Sequence, residues 1–114
     1  MSSDTEFRGF VLDQLQGMGT FETRNMFGGT AILREGVAFA KIKHGSLWLK
    51  ADTQTIGDFS GSGMRQYTYG QDNSRRLNFW QTPVEVLEDP DRLIEWAEKA
   101  CRAAFRSKGV DIVT

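Results

Sequence analysis

The sequence predicts an α+β fold: a single antiparallel sheet with helices on one face, in the order helix, three or four strands, helix, two strands, helix. Three observations lead there. Apolar residues recur at helical spacing at both ends of the chain, the stretch between them alternates in the manner of strands, and the alternation is broken by short glycine-containing pairs that suit hairpins. The 114 residues fit one domain of ordinary size, and 39% hydrophobic and 25% charged residues lie in the globular range.

At the amino terminus Ser3-Asp-Thr-Glu6 has the form of a capping box, in which Ser3 and Glu6 satisfy each other's backbone donors. Phe7, Phe10, Val11, Leu15 and Met18 then follow at helical spacing, and Gly17 and Gly19 supply the stop, so a helix is expected over about 4–17. From Phe21 to Lys50 the period shortens to that of strands: Phe21 and Thr23, Ile32, Val37, Phe39 and Lys41, then Leu47 and Leu49. Glu35-Gly36 and His44-Gly45 are the expected hairpin turns.

Asp52 is placed to cap a short helix with Ile56 and Phe59 inward, ended by Gly61-Ser-Gly63. Two further strands follow, Tyr67 and Tyr69 alternating in one and Leu77 and Phe79 in the other, with the turn at Gly70 to Ser74 and Pro83 closing the second. Asp89-Pro90-Asp91 marks the strongest boundary, an N-cap acceptor followed by proline at the first helical position. The last helix presents Leu93, Trp96, Ala97, Ala100 and Ala104 on one face and ends before Gly109; its alanines let it lie close to the sheet.

Several classes of function are disfavoured by composition. A net charge of −1 and a pI near 5.8 do not suit a protein that coats nucleic acid. A lone Cys101 forms no internal disulfide, no Cys/His cluster has metal-ligand spacing, and neither a signal peptide nor a membrane-spanning run is evident, so a cytoplasmic setting without metal or cofactor is expected. His44 reads as a solvated turn residue and Cys101 as a buried, inert thiol between Ala97 and Ala104. Most carboxylates (Asp4, Glu6, Asp52, Asp89, Asp91) sit at helix starts, where capping explains them, and Asp13 has no second carboxylate near it in sequence. No catalytic constellation emerges.

The pair Gly28-Gly29 lacks the lysine and hydroxyl of a phosphate loop and precedes a strand rather than a helix. It reads as a bulge or turn that tucks Met26 and Phe27 into the core, and Gly29→Ala should then destabilise the fold if position 29 needs positive φ. Arg75-Arg76, with Arg65 a strand away and Tyr67, Tyr69 and Trp80 nearby, is the one basic and aromatic grouping. Trp48 and Trp80 alternate with inward residues, so an exposed indole is expected from one or both.

These residues together resemble the TfoX N-terminal domain family, the amino-terminal half of the bacterial competence regulators. The likeness rests on Arg24-x-Met26-Phe27-Gly28-Gly29, Leu47-x-Leu49-Lys50, Phe59, Tyr67-x-Tyr69, Pro83, and Trp96-Ala97, and runs from about Phe7 to Phe105. It implies a helix, three-strand, helix, two-strand, helix arrangement. It also implies a regulatory role: full-length members help a DNA-bound activator, the cyclic-AMP receptor protein, to switch on genes for DNA uptake. Those regulators carry a second, carboxy-terminal domain, which the sequence to Thr114 lacks, and fold alone does not carry function. The family supplies no catalytic residues; Arg24, Met26, Phe27, Gly28 and Gly29 carry over as a motif.

The leading expectation is a non-enzymatic regulatory domain that binds a protein partner, such as a DNA-bound activator, or a second copy of itself, through Trp48, Arg65, Arg75, Arg76 and Trp80. The alternatives are direct nucleic-acid binding through Arg65, Arg75, Arg76 and the nearby aromatics, and a small-ligand site or enzyme with the glycine pair lining a pocket.

Overall fold

The computed structural model describes residues 2–26, 28–70, 72 and 75–107. Helix α1 (Ser2–Gln14) is followed by a single 3-10 turn (Gln16–Met18) and by strands β1 (Glu22–Met26), β2 (Gly29–Arg34), β3 (Val37–Lys43) and β4 (Ser46–Lys50). Then come α2 (Ile56–Ser60), β5 (Gln66–Tyr69), β6 (Arg75–Gln81), the short α3 (Val84–Leu87) and the long α4 (Pro90–Ser107). The expected order holds with four strands in the first run, and α3 is an addition. The capping box falls on Ser3, whose side chain lies outside the described residues.

All six strands form one antiparallel sheet in the order β1-β2-β3-β4-β6-β5. Both two-residue hairpins form as expected: Glu35-Gly36 and His44-Gly45 all have positive φ, the conformation whose twist matches that of the flanking strands. With the second turn fixed, pairing follows: Ala40 faces Leu49, Lys41 faces Trp48 and Ile42 faces Leu47. Alternation then sends Ala40, Ile42, Leu47 and Leu49 to one side and Lys41 and Trp48 to the other.

One departure changes the phase of β3. The β2–β3 register shifts between Ile32 and Leu33, so that Ala40 pairs with Ile32 but Ala38 with Leu33, leaving Phe39 unpaired in a bulge. Phe39 and Ala40 therefore both reach the helix-side core, and Lys41 turns to the opposite face instead of sharing Phe39's face as simple alternation would have it.

The main core lies between the sheet and its helices. Val11 of α1, Leu15 just after it, Phe59 of α2, Val86 of α3, and Leu93, Ala97, Ala100, Cys101 and Ala104 of α4 pack with Ile32, Phe39, Ala40, Ile42, Leu47 and Leu49. The alanines of α4 bury almost completely, which lets the helix backbone approach β3 and β4 closely. Phe10 departs from the expected inward stripe: it is 41% exposed and stacks on Phe7.

Polar links fix the helices. Asp89 Oδ1 accepts from the Arg92 backbone N–H, confirming it as the cap of α4. Asp52 does something else. The residue at the N-cap of α2 is Thr55, while Asp52 shapes the preceding turn by accepting from the Gln54 N–H at 3.0 Å and receives a two-pronged contact from Arg106 at 2.6 and 3.1 Å, joining that turn to the end of α4. Arg34 links β2 to α4 through Glu98 at 2.9 Å and donates to the Met18 carbonyl.

The two glycines of the Met-Phe-Gly-Gly motif have different reasons for being glycine. Gly28 has φ 76° in the turn between β1 and β2, a region that L side chains rarely adopt. Gly29 does not have positive φ. A Cβ at position 29 would lie 2.6 Å from the Ile42 carbonyl oxygen and 3.2 Å from Lys43 Cβ, so here it is the close approach of β3 that excludes a side chain. The expected burial of Met26 and Phe27 concerns side chains outside the described residues.

Two predictions follow from these contacts. Gly29→Ala must push β2 and β3 apart and is expected to lower unfolding free energy by about 1–3 kcal/mol, as overpacking does; chemical denaturation measures it. Hydrogen bonding from Arg106 holds the Asp52 carboxyl below its ordinary value. The unfolded chain then takes up that proton at higher pH than the folded one, so the stabilisation is complete above the ordinary carboxylate range and disappears as pH falls through the folded value. Asp52→Asn should accordingly cost up to about 1 kcal/mol at pH 7 and progressively less in acid, seen in unfolding curves taken across pH.

Candidate interaction face

With the helices on one side, the other face of the sheet is covered, among the described residues, by side chains of the strands. Trp48 of β4, Tyr67 of β5 and Phe79 of β6 form a small second cluster there, with Leu77 at its edge. Trp48 and Tyr67 meet edge to face, centroids 5.1 Å apart and planes at 89°. The Trp48 indole N–H donates to the Lys43 carbonyl at 3.1 Å, so its polar end is satisfied.

Lysines close over this cluster. Lys41 Nζ lies 4.8 Å from the Tyr67 ring centroid and 5.0 Å from that of Phe79, and Lys50 Nζ lies 5.3 Å from Phe79. Their stems spread on apolar surface while the ammonium groups sit over π faces. Burial pushes the Lys41 and Lys50 ammonium groups below their ordinary values, helped at Lys41 by the charge of Lys43 and opposed at Lys50 by Asp52. Strand alternation puts Arg24, Lys43 and Arg75 on the same face, against the single carboxylate of Glu22. A nearly neutral chain thus gathers cations on one sheet face over an aromatic floor.

The residues anticipated for binding are only partly brought together. Trp48 and Arg65 line one cleft with His44 and Tyr67 between the β3–β4 turn and β5. Arg75 and Arg76 are exposed but, as successive strand residues, point to opposite faces. The exposed indole does not occur: Trp48 is 7% exposed beneath its neighbours, and Trp80 is half-buried on the helix side, tilted against Phe59 with ring centroids 6.3 Å apart. Trp80 Nε1 is buried and has no hydrogen-bond partner among the described residues. Arg24 lines a cleft at one end of the sheet with Lys50 and Phe79, and Gly28 and Gly29 line another at the opposite end with Arg8 and Lys43.

Lys41 and Lys50 were absent from the sequence-level candidates. The signal for Lys41 was available, because the His44-Gly45 turn pairs it with Trp48, and the apolar character of Ala40, Ile42, Leu47 and Leu49 assigns the other face to this pair. Juxtaposition with Phe79 depends on β6 inserting beside β4, which no local pattern announces.

His44 is an exposed turn residue and Cys101 is buried. Among the described residues no three His, Cys, Asp or Glu side chains gather as metal ligands, and no helix is long and apolar enough to cross a membrane.

A helix-backed, six-stranded antiparallel sheet with one cationic face defines the class as an α+β domain. The sequence matches the family model of the TfoX N-terminal domain over residues 13–104, and the chain belongs to that family. Comparison with curated proteins gives no match.

Burial raises the Cys101 thiol to about 11. The thiolate is the reactive form, so the native protein should not react with an aromatic disulfide reagent at pH 8 on the timescale of minutes, and one equivalent should react once denaturant is added. Rapid native labelling would contradict the packing of α4.

Proposed function

We propose that this chain is a non-enzymatic regulatory domain of the cytoplasm that works by protein contact, with the helix-free face of the sheet as its contact surface. Membership of the TfoX N-terminal domain family is the observation that carries the reading. Its resemblance to the competence regulators supplies the direction: the partner is a component of transcription control, such as a DNA-bound activator. Physical support comes from the face itself. Lys41, Lys50 and Arg24 surround a rigid apolar floor, an arrangement complementary to an acidic surface that offers an apolar side chain.

Direct binding of nucleic acid is the second reading, favoured by the same cations over aromatic rings. Stacking of bases needs open π faces. Here Trp48, Tyr67 and Phe79 are 7%, 6% and 9% exposed, and Lys41 covers two of the rings, so the floor offers little to a base unless that lysine moves away.

Affinity capture from host lysate, with and without nuclease, separates the two. A transcription activator is expected to be retained by the unaltered chain after nuclease treatment and to fall at least tenfold with the Lys41→Glu, Lys50→Glu variant at a similar melting midpoint. Recovery that requires nucleic acid, together with binding to purified DNA that weakens steeply with salt, would favour the second reading. Undiminished capture by the variant would remove this face from the account.

A further inference from the structure

We propose that the cleft beside the glycine pair binds the phosphoryl group of a small organic phosphate monoester, whose organic part extends into the adjoining apolar groove. This goes beyond the protein-contact reading and does not depend on it.

The cleft, of about 400 Å³, opens at the end of the sheet where β2 begins and β3 ends, and α1 forms its other wall. That volume is within the range of small-molecule sites. Its nitrogen donors come from three elements, Arg8 from α1, Asn25 from β1 and Lys43 from β3, and Thr5 and Thr30 add hydroxyls. Asn25 Oδ1 accepts from Arg8 Nη1 at 3.5 Å and from the hydroxyl of buried Thr30 at 3.4 Å, which occupies its acceptor and leaves its amide N–H groups as the free end. Arg8 and Lys43 carry only donors, and among the described residues no carboxylate lines the cleft and neither cation forms an ion pair. A concave surface furnished with a guanidinium fork, an ammonium and an amide is suited to a doubly charged oxyanion.

The glycines keep this site open. A Cβ at position 28 would stand in open space, and Gly29 lets the β2 backbone lie against Ile42 and Lys43, so the wall beside the cations is main chain. This is not a phosphate loop: the anion is met by side chains of three elements and not by a coil of backbone N–H groups ahead of a helix.

The organic part is assigned by continuity. A second cavity of about 180 Å³ shares Gly29, Thr30, Ile42 and Lys43 with the first, and continues over Ala31, Ala38 and Lys41 to the edge of Tyr67 and Phe79. Ala31 and Ala38, with the stem of Lys41 that lies over Tyr67 and Phe79, form an apolar lining that accepts a flat group without uncovering the two rings. A phosphate monoester carrying an aromatic ring or base can therefore place charge at one end and ring at the other.

Phenyl phosphate and adenosine 5′-monophosphate, with inorganic phosphate and adenosine as controls at matched ionic strength, test this on the purified chain. Both monoesters should raise the melting midpoint saturably by several degrees once present at about a hundred times Kd, because a ligand selective for the folded state stabilises it. Backbone amide NMR shifts should concentrate at Asn25, Gly28, Gly29 and Lys43, and Arg8→Gln and Lys43→Gln should each weaken binding at least tenfold. The proposal is overturned by no saturable response to either monoester, by shifts confined to other parts of the chain, by undiminished binding in both variants, or by an equal response to inorganic phosphate. The shift map is read on the unaltered chain, so it decides the question even where a variant loses its fold.

Discussion

A sheet has two faces, and in this domain the helices cover only one. Among the described residues, the opposite face is shielded by side chains of the strands themselves. The solution combines three aromatic rings with the aliphatic stems of lysines: Trp48, Tyr67 and Phe79 pack together, and Lys41 and Lys50 lie over them. Covering a full side chain of this size is worth about 1.5–3 kcal/mol, enough to hold long lysines in place against their rotamer entropy. The chemistry that shields the rings also makes the face cationic, so stability and recognition potential arise from the same contacts.

The glycine motif belongs to the same economy of space at the sheet's end. Gly28 turns the chain through a left-handed conformation, and Gly29 removes the side chain that would separate β2 from β3. Together they bring the β1–β2 turn beside Lys43, with α1 and its Arg8 across the cleft. A conserved backbone geometry is not needed to explain why two adjacent glycines occur here; sterics at one and φ at the other suffice.

Much of this architecture was legible in the sequence, and the physical reason is locality. Hairpins at Glu35-Gly36 and His44-Gly45, the Asp89-Pro90 start of α4 and the alanine face of that helix are set by residues a few positions apart, where propensity and spacing act directly. What escaped depends on distant partners. Asp52 looks like a helix cap from its neighbours, but Arg106, far along the chain, turns it into an ion-pair anchor. Trp48 and Trp80 look like a pair on alternating strands, yet β6 enters the sheet beside β4 in a register that places one indole on each face. The bulge at Phe39 likewise comes from pairing between strands, and it puts Phe39 out of phase with Lys41, whose place on the open face the adjacent His44-Gly45 hairpin already fixes.

Family membership sets the frame for function, and the open face supplies a physical surface through which such a domain can act. Its central requirement is that Lys41 rests over Tyr67 and Phe79. The most direct measurement is NMR of the lysine side chains across pH. Ring currents should move the Lys41 ε-methylene signals upfield of those of exposed lysines, and its ammonium should lose its proton at lower pH than theirs. Random-coil shifts with an ordinary lysine titration would mean that the rings are uncovered, and the face would then be an open aromatic platform rather than a lysine-capped one.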